Sequence, residues 1–313
     1  MDTLEVITFP GTPNLPLYVA QANGYFAAQG LEVILHTTPS SVFQIERVVA
    51  GEFQIAGTAI DNVIAYQEGQ GAIELATSPD LFVFMGASQV ELSLVAKPKF
   101  ASIADLKNQG IALDALATGF AFVAYWMLEH GGVDPHDCNL VSVGAAPERF
   151  AALTQGSEAA ALLLEPFTGR AKAQGYRVLA SSADILPDYQ GGIFCTTRRW
   201  ATSNEPALTG YIRAYLRALA WLEEAGNCAA ARALLLEHIP ALTPATVDMA
   251  LAKVLAPRTG LTPGAVIDLS RVQRVLDLRN RYAPGVCALD EPARYIDLQY
   301  YERVCAGLDE TAS

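Results

Sequence analysis

The sequence predicts an α/β protein built as two lobes with a helical C-terminal region. Three observations lead there. Strands and helices alternate as far as GGIFCTT at residues 191–197. The 313 residues suffice for two lobes of ordinary size. From about Ser203 onward the pattern is wholly helical.

The elements follow in order. LEVITF (4–9) is a short apolar strand, a helix is expected over Leu15–Ala28, and LEVILH (31–36) is the second strand. Ser40 or Ser41 caps a helix whose Val42, Ile45, Val48 and Val49 share one face, with Gly51 as its stop. FQIAG (53–57) is a third strand and AIDNVIAYQEG (59–69) the helix after it; AIELATS (72–78) and LFVFMGAS (81–88) continue the sheet. ELSLVAK (91–97) opens a second series, with strands at Gly110–Asp114, NLVSV (139–143), EAAALLL (158–164) and YRVLA (176–180). Helices between them are expected over Thr118–His130, Pro147–Gln155 and Gly169–Ala173. EPALTGYIRAYLRALAWLEEAG (205–226), capped by Ser203 or Asn204, begins the helical region. Further helices fall at Ala229–His238, Pro244–Leu255, Pro263–Tyr282 and Pro292–Leu308. Residues 47–57 and 152–163 echo each other: helix, glycine, acidic residue, buried strand. The echo marks two similar lobes or is coincidence.

Half the residues are apolar and 17% charged, so a sizeable core is expected and disorder is not. A net charge of −12 argues against a nucleic-acid partner and against anionic lipid. No apolar run reaches the roughly 20 residues of a membrane-spanning helix. Cys138, Cys195, Cys228, Cys287 and Cys305 lack CxxC spacing, and His36, His130, His136 and His238 are dispersed. Neither a metal nor any other cofactor is expected.

PLYVAQANGYFAAQGLEV (16–33), RVVAGEFQIAGTA (47–59), FASIADLKNQGIAL (100–113), ALTQGSEAAALLLEPFTGRA (152–171) and GYRVLA (175–180) follow one another in order. This series resembles the periplasmic solute-binding proteins of ABC importers for nitrate, sulfonates, taurine and thiamine pyrimidine precursors. The resemblance implies a type II periplasmic binding protein fold, two α/β lobes joined by two hinge strands and closing on a small-molecule ligand. Lobe one would be residues 1–88 and 196–313, lobe two 95–188, and the crossings 89–94 and 189–195. Gly191 and Gly192 are hinge material or mark a tight strand entry. The partner implied is an ABC permease, and the location periplasmic. MDTLEVITF runs straight into a strand without a basic or apolar leader, so either a targeting segment has been removed or the alternative, a cytoplasmic location, holds.

Ligands of open α/β sheets sit beyond the carboxyl ends of the strands, where loops enter helix N-termini. The candidate positions are therefore Gly11, Thr12, Pro13 and Asn14 after the first strand, Ser40 and Ser41 after the second, and Thr58, Ala59 and Asn62 after the third. Gln89 lies on a crossing, and Thr118, Gly119, Phe120 and Glu165 belong to lobe two. Asn14, Ser40 and Ser41 are ligand contacts or simple caps, and the Thr118 hydroxyl caps, contacts ligand, or both. Phe9, Phe120 and Phe122 wall an aromatic ligand or fill the core. Glu165, directly after AALLL, needs a partner to be tolerated there. Asp61 and Glu91 are second-rank acidic candidates. Arg and Lys are absent from these loops, which favours a neutral, zwitterionic or aromatic ligand over nitrate or sulfate. Asn14→Ala with Thr118→Ala is expected to weaken ligand binding and leave the melting temperature nearly intact.

An enzyme on the same fold, acting on a small aromatic or pyrimidine compound, is the alternative. Fungal-type pyrimidine precursor synthases carry a CCCFC segment, and aromatic sulfinate desulfinases a cysteine after the first strand and an RxGG segment. This chain has GTPNLP and GTAIDN in those places, with no cysteine before Cys138. Nucleophilic catalysis of that kind is not expected. Cys195 is a buried, inert thiol or, beside Arg198, a reactive one.

Overall fold

The computed structural model describes residues 1–187, 189–283 and 288–312; Asp188, Pro284, Gly285, Val286, Cys287 and Ser313 lie outside the described residues. The strands are β1 Asp2–Thr8, β2 Leu31–Thr37, β3 Ile55–Ala59, β4 Leu81–Ser88 and β5 Ser93–Ala96. They continue as β6 Gly110–Leu113, β7 Asn139–Ser142, β8 Ala160–Leu163, β9 Arg177–Ser181 and β10 Gly192–Thr197. Two five-stranded sheets result, ordered β2-β1-β3-β10-β4 and β7-β6-β8-β5-β9.

The sheets repeat one plan. In the first, β1 is parallel to β2 and β3, while β10 runs antiparallel between β3 and β4. In the second, β6 is parallel to β7 and β8, while β5 runs antiparallel between β8 and β9. Each antiparallel strand is donated across the join, so the chain passes between lobes after β4 and again before β10. The echo of residues 47–57 and 152–163 falls on equivalent places, the helices Ser41–Val49 and Ala146–Gln155 leading into β3 and β8.

Apolar alternation and buried runs assign the faces. Helices Leu15–Ala22 and Glu205–Glu223 cover one face of the first sheet with Leu17, Val19, Tyr211 and Tyr215. Helices Ser41–Val49, Ile60–Gln67 and Leu269–Tyr282 cover the other. Their core continues into lobe two through Val123, Met127 and Leu128 of helix Gly119–His130. Helices Ala146–Gln155 and Phe167–Ala173 close the far face of the second sheet.

Some expectations need correction. AIELATS is exposed irregular chain, because the outer edge of β4 is taken by the C-terminal segment, where Val83 bridges Ile296. The first helix stops at Ala22, since Gly24 turns the chain with φ 68° and a separate 3₁₀ turn covers Ala27–Gln29. Pro263–Tyr282 and Pro292–Leu308 each divide, with 3₁₀ turns at Pro263–Ala265 and Pro292–Tyr295 ahead of helices Leu269–Tyr282 and Gln299–Ala312. Gly192 lies within the first sheet. Gly191 is demanded by close approach, since a Cβ there would stand 2.7 Å from the Gln89 carbonyl oxygen on the other crossing.

Candidate functional site

A cleft of about 860 Å³, open solvent at its mouth included, lies between the two sheets and is walled by both lobes. From lobe one come the loop after β1 (Gly11, Pro13, Asn14), the β3 exit (Thr58, Ala59, Asn62) and Ser88 at the end of β4. From lobe two come Thr118, Gly119 and Phe120 after β6, with Asp114, Arg149 and Leu164. Phe9, Phe120 and Phe194 give it an aromatic lining. Phe122, by contrast, is buried core, with the Arg279 guanidinium 5.1 Å above its ring.

Other candidates lie elsewhere. Thr12 and Glu165 border a smaller adjoining pocket with Glu91 and Lys253. Ser40 caps helix Ser41–Val49 by accepting from the Phe43 amide at 3.2 Å; neither it nor Ser41 lines the cleft. The reason is geometric: β2 is an edge strand, and its exit loop reaches lobe two through the Pro39 carbonyl, which accepts from Ala145 N at 3.0 Å. Gln89 stays on its crossing, where its backbone N–H donates to the Gly260 carbonyl at 2.8 Å.

Several polar groups in the wall are already committed. Asn14 makes no cap; its Nδ2 donates to the Phe9 carbonyl at 2.9 Å and holds the loop after β1. Asn62 Nδ2 donates to Thr58 Oγ1 at 2.8 Å, which leaves the threonine proton free to donate. The Thr118 hydroxyl donates to the Ala115 carbonyl at 3.1 Å and accepts from Ala121 N at 3.4 Å, capping helix Gly119–His130. This alters the expectation for the alanine variants. Thr118→Ala removes a cap and Asn14→Ala a loop tie, each expected to cost about 1 kcal/mol. Urea unfolding of the ligand-free protein checks this, and an unchanged midpoint in both variants would show that neither bond matters in solution.

The acidic candidates find basic partners that the loops did not reveal. Glu165 accepts from Lys253 Nζ at 2.9 Å and from Gly169 N at 3.2 Å. Glu91 takes Lys253 at 3.5 Å and Ser181 Oγ at 2.8 Å. Burial works against the Lys253 ammonium, but Glu165 and Glu91 outweigh it and raise its pKa. Asp61 is fully buried outside the cleft lining, paired with Arg279 at 2.6 Å, and accepts from Gly119 N at 2.5 Å.

Arg149 supplies the cleft with a cationic side chain that the candidate loops lack. It enters from helix Ala146–Gln155 rather than from a loop and is 2% exposed. Its Nε and Nη1 have no hydrogen-bond partner within the protein. Asp114, 8% exposed at the exit of β6, likewise has an unpartnered Oδ1. Burial lowers the Arg149 pKa to about 10, against the opposing pull of Asp114 and Glu148, so the guanidinium stays charged at neutral pH. Cys195 lies on β10 with its side chain in the core, and burial pushes its thiol up to about 12, which makes it unreactive at neutral pH. Cys287 falls outside the described residues. Among the described residues no group of acidic, histidine and cysteine side chains has metal-binding geometry, and no helix is long and apolar enough to cross a membrane.

Comparison with known proteins adds a family. Residues 2–236 match the model of the NMT1-like family. The chain is 27% identical over 243 residues to the formylaminopyrimidine-binding protein of Halalkalibacterium halodurans, covering 72% of this chain and 67% of that one. The nitrate-binding protein NrtA of Synechocystis PCC 6803 superposes with a TM-score of 0.82 at 15% identity, over 98% of this chain and 89% of that one. The alkanesulfonate-binding protein SsuA of Xanthomonas axonopodis pv. citri, bound to MOPS, gives 0.72 at 19% identity, over 91% and 95%. The last two likenesses establish the two-lobed type II binding-protein fold.

Proposed function

The chain belongs to the NMT1-like family, and we propose on that premise that it is the substrate-binding subunit of an ABC importer, capturing a small organic solute between its lobes. One observation carries the reading: the cleft is walled by both lobes at the strand ends, where helix N-termini converge, and among the described residues the strand order takes the chain from one sheet to the other after β4 and back before β10. A solute touching both walls stabilises the closed arrangement over the open one by its differential affinity. A permease then recognises the closed form, in the periplasm.

The lobes in this reading are residues 1–88 with 196–313, and 95–188, turning about the crossings 89–94 and 189–195. Val90 supports a hinge role. It is a β-branched residue held at φ 46° on the first crossing, a conformation that persists only where its surroundings enforce it. The named relatives support binding, and the solutes in their names set the first compounds to try.

A thermal-shift screen over sulfonates, pyrimidines and aromatic acids, followed by small-angle scattering of each hit, tests the proposal. A solute at 100 times its Kd stabilises by about 2.7 kcal/mol, and the radius of gyration should fall as it binds. Conversion of a hit to product, or no stabilisation by any organic solute, would defeat it.

A further inference from the structure

We infer that Arg149 and Asp114 read two neighbouring groups of one solute, an acceptor against the guanidinium and an N–H donor against the carboxylate, on an aromatic or heteroaromatic body. The inference rests on the solute-binding reading above and names the chemistry of its ligand.

Both side chains line the cleft and both are more than nine-tenths buried. Buried ionic groups are ordinarily paired or fully hydrogen-bonded, because leaving one unsatisfied costs the full desolvation of the charge. Arg279 follows that rule: it pairs with Asp61 and donates also to Gln70 and Ala117. Arg149 and Asp114 do not, although they share one wall and are near enough to influence each other electrostatically. Two opposite charges that face the same space without joining leave donor and acceptor capacity to something that enters it.

The pair also rules on charge. A carboxylate, sulfonate or carbonyl satisfies the guanidinium. A bare dianion such as sulfate would do so too, but would then stand beside the Asp114 carboxylate, where like charge opposes it. An amino group next to the acceptor removes that conflict by donating to Asp114 Oδ1. Phe9, Phe120, Phe194 and Leu164, which share the lining with Asn14, Thr58, Asn62, Ser88 and Thr118, suit a flat apolar body.

Titration calorimetry on the full chain with two sets of probes tests this. The first set is anthranilate, benzoate and aniline; the second is 4-aminopyrimidine-5-carboxamide, pyrimidine-5-carboxamide and 4-aminopyrimidine. In at least one set the compound bearing both groups should bind about 10- to 100-fold tighter than either half, as hydrogen bonds to charged groups imply. Arg149→Met should abolish the advantage of the acceptor and keep that of the amino group, and Asp114→Leu the reverse. The double variant Arg149→Met/Asp114→Leu should melt no lower than the parent when ligand-free, because both unsatisfied buried charges have been removed. That stability readout separates a ligand-reading role from a structural one. Equal binding of the half-compounds, loss of all affinities in parallel, or a lowered melting temperature of the double variant would overturn the inference. So would tight binding of ethanesulfonate with none of the six compounds, and that outcome would leave the solute-binding reading standing. Failure of every solute in both this panel and the wider screen would remove both.

Discussion

Replacing Arg279 by Met should destabilise the protein by about 3–5 kcal/mol, the cost of leaving one member of a buried ion pair uncompensated. Arg279 and Asp61 are both completely buried, so solvent does not screen them. The guanidinium donates through Nε to Asp61 Oδ1 at 2.8 Å and through Nη2 to Oδ2 at 2.6 Å. It donates further to Gln70 at 2.9 Å and to the Ala117 carbonyl at 3.2 Å, while Asp61 also accepts from Gly119 N. One network thus ties helix Ile60–Gln67, helix Leu269–Tyr282 and the start of lobe two's helix Gly119–His130. Asp61→Leu should cost a similar amount. The double variant should recover part of the loss and not all, since Gly119 N and the Ala117 carbonyl remain without their partners. A double-mutant cycle by urea unfolding measures the coupling. A loss below about 1 kcal/mol for Arg279→Met would mean that the pair is not formed in solution.

The two buried arginines also show what could be read from the sequence. Strands and the loops at their carboxyl ends come from periodicity and turn chemistry, which are local; the two-lobed fold comes from chain length and from what the resemblance implies. Partners are not local: Glu165 finds Lys253, and Asp61 finds Arg279, far along the chain. A signal was nonetheless present. In helix Ala146–Gln155 the buried positions are Ala146, Arg149, Phe150 and Leu153, and in helix Leu269–Tyr282 they include Val272, Val275, Leu276 and Arg279. Each arginine occupies an apolar stripe at i, i+3, i+4, i+7 spacing, where a charge belongs only if something meets it. A search of loops alone passes over both. What the stripe cannot reveal is which arginine is met from within, and so serves stability, and which is left for a ligand. Ser40 illustrates the opposite error, because a serine at a strand exit carries the same local pattern whether it caps a helix or faces a cleft.

Gly119→Ala should prevent the lobes from meeting as they do here and reduce solute affinity by about 100-fold or more, the scale of a population shift of a few kcal/mol. Gly119 opens helix Gly119–His130 and needs no left-handed backbone, so within its own lobe alanine there should be neutral or favourable. The obstacle comes from across the join. A Cβ at this position would stand 2.5 Å from Asp61 Cβ and 2.7 Å from the Tyr189 hydroxyl. Asp61 cannot retreat, because Arg279 holds both its carboxylate oxygens, and Tyr189 is itself buried. The substitution therefore sets local helix propensity against inter-lobe packing, and the two predict opposite signs. If packing governs, the variant keeps its secondary structure, has a larger radius of gyration than the parent in scattering, and binds any solute found in the screen more weakly. If it instead melts higher and binds unchanged, the contact between Gly119 and Asp61 has no part in closure, and the wall of lobe two must engage the solute in some other arrangement of the lobes.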